Sequence, residues 1–259
     1  MSKLKYKDLR REVIETCLAM NAEGINQGTS GNVSVRTEEG FLITASGIPY
    51  KKMKPHHVVE MDLDGGYRGD FLPSTEWRMH LDIYKHRPEA KAIVHTHSTY
   101  ATTLACLRKD VPAFHYMIGV TGGPSLRCSD YAEFGTPELS VVMLKAMEGR
   151  NACLLANHGQ ICFGPNLEKA LWLAGEIETN CHQYWAALLA GKPVLLDDGQ
   201  MASVLKRFKS YGKQAKDLEG VDPTQLAVMM PVKRGDATEE SAPKADKKKP
   251  EKKKKAKVF

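Results

Sequence analysis

No stretch of this 259-residue chain approaches the roughly eighteen uninterrupted apolar residues that a membrane-crossing helix needs. Its first residues, Met1-Ser2-Lys3-Leu4-Lys5-Tyr6-Lys7, carry charge but no apolar signal-peptide core. A cytoplasmic protein with no membrane partner is therefore expected. The six cysteines, at 17, 106, 128, 153, 162 and 181, include no C-x-x-C pair and fall mostly within apolar or helical stretches, as reduced thiols do. Neither the phosphate-loop pattern G-x-x-x-x-G-K-[ST] nor the dinucleotide pattern G-x-G-x-x-G is present, which disfavours nucleotide binding. Surplus positive charge is also missing from most of the chain. Residues 241–259 hold nine lysines against two acids, a net of +7, whereas the whole chain is only +6, so the remainder sums to −1. A nearly neutral body argues against a nucleic-acid-binding domain. The lysine tail, with too few apolar residues to bury a core, reads as a disordered extension whose partner the sequence does not name.

What remains is enough for one substantial core, since 42% of the residues are hydrophobic. Leu9, Val13, Cys17 and Met20 recur at helical spacing and stop before Gly24. Val33 to Arg36 and Phe41 to Thr44 read as two strands around the Glu38-Glu39-Gly40 turn, and Met61 opens a further short extended piece. Ser74 or Thr75 caps a helix carrying Trp77, Leu81 and Tyr84 that closes before Pro88. Ala92 to Ser98 is a strand, Thr99 to Leu107 a helix, and Ala113 to Ile118 an extended segment followed by a glycine-rich loop. Thr136-Pro137 starts a helix ending near Gly149, and Cys153 to Asn157 forms a strand. Asn166 caps a long helix ending at Gly191, and residues 197–211 make another. Trp77, Trp172 and Trp185 are core candidates at helical spacing. Strands and helices are interspersed irregularly, and no internal repeat is visible. The expectation is a single α/β domain with a mixed or antiparallel central sheet flanked by helices, spanning residues 1–215, with 216–259 as a C-terminal extension.

Chemistry concentrates where apolar runs end. In Ala92-Ile93-Val94-His95-Thr96-His97, the strand period of two sends His95 and His97 to the same side, where they can share one ion. A lone H-x-H is weak evidence, because strand histidines are often packed or solvated. Two further donors sit in comparable places: His158 after the run Cys153 to Asn157, and Glu76 after Leu72-Pro73-Ser74-Thr75. Three histidines and a carboxylate form a donor set of the kind that holds catalytic zinc. The other histidines, at 56, 57, 80, 86, 115 and 182, lack that spacing or position and read as surface or packed residues. The small-residue loops at 28–32, 46–47 and 74–75 offer hydroxyls and backbone N–H groups of the kind that surround phosphate. Each alone is more often a turn.

Taken in order, Gly28-Thr29-Ser30-Gly31-Asn32-Val33-Ser34, Ile43-Thr44-Ala45-Ser46-Gly47-Ile48-Pro49-Tyr50, Pro73-Ser74-Thr75-Glu76-Trp77, Val94-His95-Thr96-His97 and Asn157-His158-Gly159 resemble the class II aldolase family, which also includes adducin-like members. The resemblance runs from about residue 8 to about residue 215 and leaves out the tail. It implies a zinc ion on His95, His97 and His158, with Glu76 as both metal-site carboxylate and acid/base. It also implies that Thr29, Gly31, Asn32, Ser46, Gly47, Ser74 and Thr75 hold a substrate phosphate. Tyr116 would exchange a proton with the aldehyde oxygen, and Phe134 and Tyr211 would lie near the aldehyde end. Sites between subunits of a homotetramer belong to the same implication.

The residue types suit that chemistry. Splitting a carbon–carbon bond beside a ketone leaves an enediolate, whose charge a Lewis acid stabilises, while a tyrosine and a carboxylate divide the two proton transfers. A sugar-phosphate lyase releasing dihydroxyacetone phosphate and a short aldehyde is thus implied, with fuculose, 5-deoxy- or 5-methylthio-pentulose 1-phosphates as substrates. A dehydratase or a pentulose-5-phosphate 4-epimerase on the same scaffold are the alternatives, and Glu76 speaks against the epimerase, whose pattern carries Asp there. A non-catalytic, adducin-like interaction protein would be expected to have lost the zinc set, which is intact here.

Overall fold

A computed structural model describes residues 4–210. The assignments made for Tyr211 and for residues 216–259 lie outside the described residues. Seven strands form one sheet in the order β4-β3-β2-β1-β5-β7-β6, and every neighbouring pair runs antiparallel. The strands are β1 (Asn32–Arg36), β2 (Gly40–Ile43), β3 (Val59–Asp62), β4 (Tyr67–Arg68), β5 (Ala92–Thr96), β6 (Ala152–Leu155) and β7 (Gly159–Gly164). Of the mixed and antiparallel options, the second is realised. Among the described residues, a parallel pairing occurs only as an isolated bridge between Cys128 and Leu154.

Helices cover both faces. Val33, Val35, Ala92, Val94, Leu154 and Cys162 point to one side, where they bury against α1 (Lys7–Ala22), α3 (Thr99–Cys106) and α5 (Leu167–Ala190). Ile43, Ile93, Cys153, Leu155, Ile161 and Phe163 point to the other, beneath α2 (Trp77–His86) and α4 (Pro137–Ala146). This alternation is the strand period made visible, and burial of apolar area on both faces is the main stabilising term. Asn32 and Ser34 share the second side with Ile93 and His95, because β1 and β5 pair Asn32 with His95 and Ser34 with Ile93. That register places polar side chains under α2.

Helix ends follow the local chemistry. Thr136, Asn166 and Asp197 each accept a hydrogen bond from the backbone N–H three residues on, opening α4, α5 and α6 (Asp198–Phe208). The entrance to α2 differs from expectation. Glu76 itself occupies the capping position without a side-chain cap bond, while Ser74 Oγ accepts from the Glu76 N–H at 3.3 Å and Ser74 O from the Trp77 N–H at 3.0 Å. Glu76 is thereby freed to point elsewhere. The expected extended segment at 113–118 is not formed: residues 113–115 bend and a 3-10 turn runs over Tyr116–Thr121, closed by Gly122 in a left-handed conformation. Strand β7 had no counterpart in the sequence reading, since its Gly-Gln-Ile-Cys-Phe-Gly composition is flanked by glycine at both ends. Trp172 is exposed and Trp77 and Trp185 are half-buried, so none of the three tryptophans lies fully in the core. Among the described residues, no helix is long and apolar enough to cross a membrane.

Candidate metal centre and substrate cleft

Four side chains from three separate segments converge above the middle of the sheet. Glu76 comes from the start of α2, His95 from β5, His97 from just beyond it, and His158 from the turn between β6 and β7. Their ligand atoms all lie within 4.8 Å of one another. His95 Nε2 is 3.0 Å from His97 Nε2 and 3.2 Å from Glu76 Oε2, and His158 Nε2 is 3.0 Å from Glu76 Oε1. The three imidazole rings stand edge to face, with centroids 4.8–4.9 Å apart.

The donor set fits one metal ion. His95 Nδ1–H donates to the Gln160 carbonyl at 2.7 Å, which fixes the ring and leaves the Nε2 lone pair aimed into the cluster, as in ligating histidines. Two Nε2 atoms 3.0 Å apart cannot both turn lone pairs inward at low cost unless a cation lies between the donors. Glu76 Oε1 is buried and makes no well-formed hydrogen bond, despite its 3.0 Å approach to His158. An orphaned carboxylate oxygen beside inward-facing imidazoles is what a metal site looks like without its ion. Burial pushes the Glu76 carboxyl up, but positive charge on the facing His95 and His158 imidazoles when they are protonated outweighs it and holds the group well below the usual carboxylate range. Burial, with repulsion from His95 and His158, pushes His97 down to about 4, so it is a neutral imidazole suited to ligation.

Beside the cluster opens a cleft of about 340 Å³ lined by Ser30, Thr75, Glu76, His97, Tyr131, Ala132, Phe134, Asn157 and His158. The three hydroxyl-bearing segments meet next to it. Ala45 and Pro73 form a bridge, Ser46 N–H donates to Leu72 O at 3.0 Å, and Ser74 N–H donates to Thr44 O at 2.9 Å. The first loop is fixed by Asn26, whose Oδ1 accepts from Gly31 N–H at 2.9 Å, and by the Tyr50 hydroxyl, which donates to Gly31 O. Gly31 allows this closeness, since a Cβ there would stand 2.5 Å from the His95 carbonyl oxygen and 2.6 Å from Asn26 Oδ1. Thr29, Ser46, Gly47 and Thr75 are exposed at this edge, whereas Gly31, Asn32 and Ser74 are buried behind it.

The structure does not bring every candidate together. Phe134 lines the cleft and is 63% exposed, but Tyr116 lies elsewhere, 47% exposed and stacked on Phe208 with ring centroids 6.3 Å apart. Asn32 is turned inward: its Nδ2 donates to Glu76 Oε2 at 3.0 Å. Tyr131, Ala132, Ser30 and Asn157 line the cleft without having been singled out from sequence. Asn157 had a visible signal, namely its place between an apolar run and His158. Its left-handed backbone (φ 56°) and its bond from Arg108 Nε at 2.7 Å set the turn that presents His158.

An antiparallel sheet with helices on both faces and a His₃–Glu cluster over its middle define a metal-centre protein of α/β architecture. The chain matches the profile of the Class II Aldolase and Adducin N-terminal domain family over residues 11–185. It is 47% identical over 215 residues to L-fuculose phosphate aldolase of Escherichia coli (strain K12), covering 83% of this chain and 100% of that one. It is also 46% identical over 208 residues to 5-methylthioribulose-1-phosphate/5-deoxyribulose-1-phosphate aldolase of Rhodospirillum rubrum, covering 80% of this chain and 94% of the relative. A solved structure of L-fuculose 1-phosphate aldolase superposes with a TM-score of 0.77 at 42% identity, over 81% of this chain and all of that one. The chain belongs to the class II aldolase family.

Proposed function

We propose that this protein is a zinc-dependent aldolase that reversibly cleaves a ketose 1-phosphate into dihydroxyacetone phosphate and a short aldehyde. The observation that carries the reading is the convergence of His95, His97, His158 and Glu76 beside a cleft edged by hydroxyl-bearing loops. Fuculose, 5-deoxy- and 5-methylthio-pentulose 1-phosphates are the substrates considered, in line with the names of the relatives. The catalytic unit is taken as residues 1–215 and the lysine-rich 216–259 as an extension.

Zinc held by the four residues would supply Lewis acidity for the negative charge that the substrate's carbonyl end develops. Everything else falls to the chain. Thr29, Gly31, Asn32, Ser46, Gly47, Ser74 and Thr75 are assigned to the phosphate, the exposed Thr29, Ser46, Gly47 and Thr75 facing it and the buried Gly31, Asn32 and Ser74 shaping the loops behind, and together they fix the substrate's orientation. Glu76, ionised and facing the cleft, moves a proton to and from the carbon beside the carbonyl. Phe134 packs on the aldehyde half.

Tyr116 is assigned the proton on the aldehyde oxygen. Its exposure and distance from the cleft support an arrangement in which a neighbouring subunit supplies it, as in a cyclic homotetramer with sites between subunits. Tyr211 is assigned to the aldehyde end on family resemblance alone. A cytoplasmic location accompanies this reading.

The test is direct. Zinc-loaded protein incubated with dihydroxyacetone phosphate and a panel of lactaldehyde, acetaldehyde and methylthioacetaldehyde should form ketose 1-phosphates, identified by mass and NMR. Loss of water from methylthioribulose 1-phosphate, with no condensation product from any aldehyde, would replace the aldolase reading by a dehydratase.

A further inference from the structure

Behind Glu76 runs a line of buried polar groups of which only Asn32 has a role above, and there as a phosphate-loop residue. Asn32 Nδ2 is 3.0 Å from Glu76 Oε2, Asn32 Oδ1 is 2.5 Å from His80 Nε2, His80 Nδ1 is 2.7 Å from Ser34 Oγ, and Ser34 Oγ is 2.8 Å from the Tyr84 hydroxyl. His80 and Ser34 have no exposed surface, and Asn32 and Tyr84 have 2% each. The line is built by two periodicities meeting. Glu76, His80 and Tyr84 follow one another every fourth residue down one side of α2, and Asn32 and Ser34 alternate along β1.

Its hydrogen bonds have only one consistent direction. An ionised carboxylate can only accept, so Asn32 must turn its NH₂ to Glu76 and its carbonyl oxygen to His80. His80 must then carry its proton on Nε2 and donate it to Asn32, leaving Nδ1 to accept from the Ser34 hydroxyl. Ser34 Oγ accepts in turn from Tyr84. Every donor points toward Glu76, and chains aligned in this way polarise one another. Burial pushes His80 down to about 3, which keeps the ring in the neutral form this direction requires.

The arrangement is costly as mere packing, because four polar side chains are desolvated where apolar ones of similar volume would serve as well. What it achieves is orientation. An Asn amide free to rotate by half a turn would present its oxygen to Glu76 and repel the carboxylate. We propose that His80 is a positioning residue: through Asn32 it selects the edge of the amide that faces Glu76, and so holds the Glu76 carboxylate in place at the metal centre. This rests on the metal-dependent reading of the site. Tyr84, wedged against Phe41 with ring centroids 5.2 Å apart and under the Arg36 guanidinium at 4.6 Å, anchors the far end.

The experiment uses the full-length chain and reads zinc affinity, by competition with a chromophoric chelator, alongside kcat and KM. His80→Leu should weaken zinc binding and lower kcat by about 10–100-fold each, as loss of an outer-shell partner does, with KM unchanged within about threefold. His80→Gln, whose amide N–H takes the place of Nε2–H, should recover both to within about threefold of the parent, whereas His80→Asn, which reaches only toward Ser34, should not. In an Asn32→Leu background the His80 substitution should cost nothing more, since its effect is transmitted by that amide. Equal behaviour of the Gln and Asn variants, or full additivity with Asn32→Leu, would overturn the proposal, and the Gln–Asn pair decides the matter even if His80→Leu does not fold. Zinc affinity needs no substrate. A parent chain showing the expected zinc pattern but no lyase activity would sink the aldolase reading and uphold this one, and a parent that binds no zinc would overturn both.

Discussion

Replacing Glu76 by glutamine removes one charge and almost no volume. Glu76 Oε2 accepts from Asn32 Nδ2 at 3.0 Å, so the new side chain must keep its oxygen there and place its NH₂ at the Oε1 position, 3.0 Å from His158 Nε2. In the metal-free chain that orientation satisfies the buried groups, and the fold should survive with a stability change of no more than about 1 kcal/mol. Three imidazoles remain to hold zinc, a ligand number found in catalytic sites. What disappears is a group able to take and return a proton. A positioned general acid/base is worth roughly 10²–10⁴ in rate, so kcat should fall by that factor, equivalent to about 2.7–5.4 kcal/mol of barrier. Of the phosphate residues only Asn32 touches the carboxylate, through a bond that the glutamine oxygen keeps, and the loops are otherwise tied to the backbone at Thr44, Leu72 and Gln27, so KM should move by less than about threefold. Coupling dihydroxyacetone phosphate release to its reduction by NADH reads both constants, with zinc content measured on the same sample. A fully active variant, or one losing kcat and phosphate affinity in equal measure while retaining zinc, would refute the assignment.

Other consequences are equally accessible. Chelation should abolish cleavage and added Zn²⁺ should restore it, so an active preparation shown to be metal-free by elemental analysis would contradict the site. Gly159→Ala should destabilise the chain by about 1–3 kcal/mol and weaken metal binding, because the new methyl overlaps the Thr96 carbonyl oxygen and stands 3.0 Å from His97 Cδ2; thermal unfolding and chelator competition report the two effects. His80 is neutral in the folded state down to about pH 3, whereas in the unfolded chain it gains a proton near pH 6.5. The unfolded state therefore binds more protons across that window, and stability falls as pH drops from 6.5 toward 3. Urea titrations at several pH values should show His80→Gln losing up to about 1.4 kcal/mol per pH unit of that slope, and an unchanged slope would mean that His80 is not held neutral.

The sequence carried more of the helices than of the sheet. Thr136-Pro137, Asn166 and Asp197 announce their helices within a few residues, because capping is a contact between a side chain and the backbone of the next turn. The glycine-bounded β7 carries no such signal, since a buried strand between two others is stabilised by partners far along the chain. The 3-10 turn at Tyr116 was hidden for a related reason: its apolar residues Met117 and Ile118 suit an extended run equally well.

By itself the sequence determined that His95 and His97 face one way, since strand period depends on nothing beyond the strand. It also determined which residue types stand where metal and phosphate chemistry would want them. Only the tertiary structure decided that Glu76 and His158 join the pair, that Asn32 turns inward to Glu76, and that Tyr116 stays outside the cleft. The physical reason is register. Pairing Asn32 with His95 and laying α2 across β1 are non-local choices, settled by burial on both faces of the sheet, and they convert separate donors into one centre backed by His80.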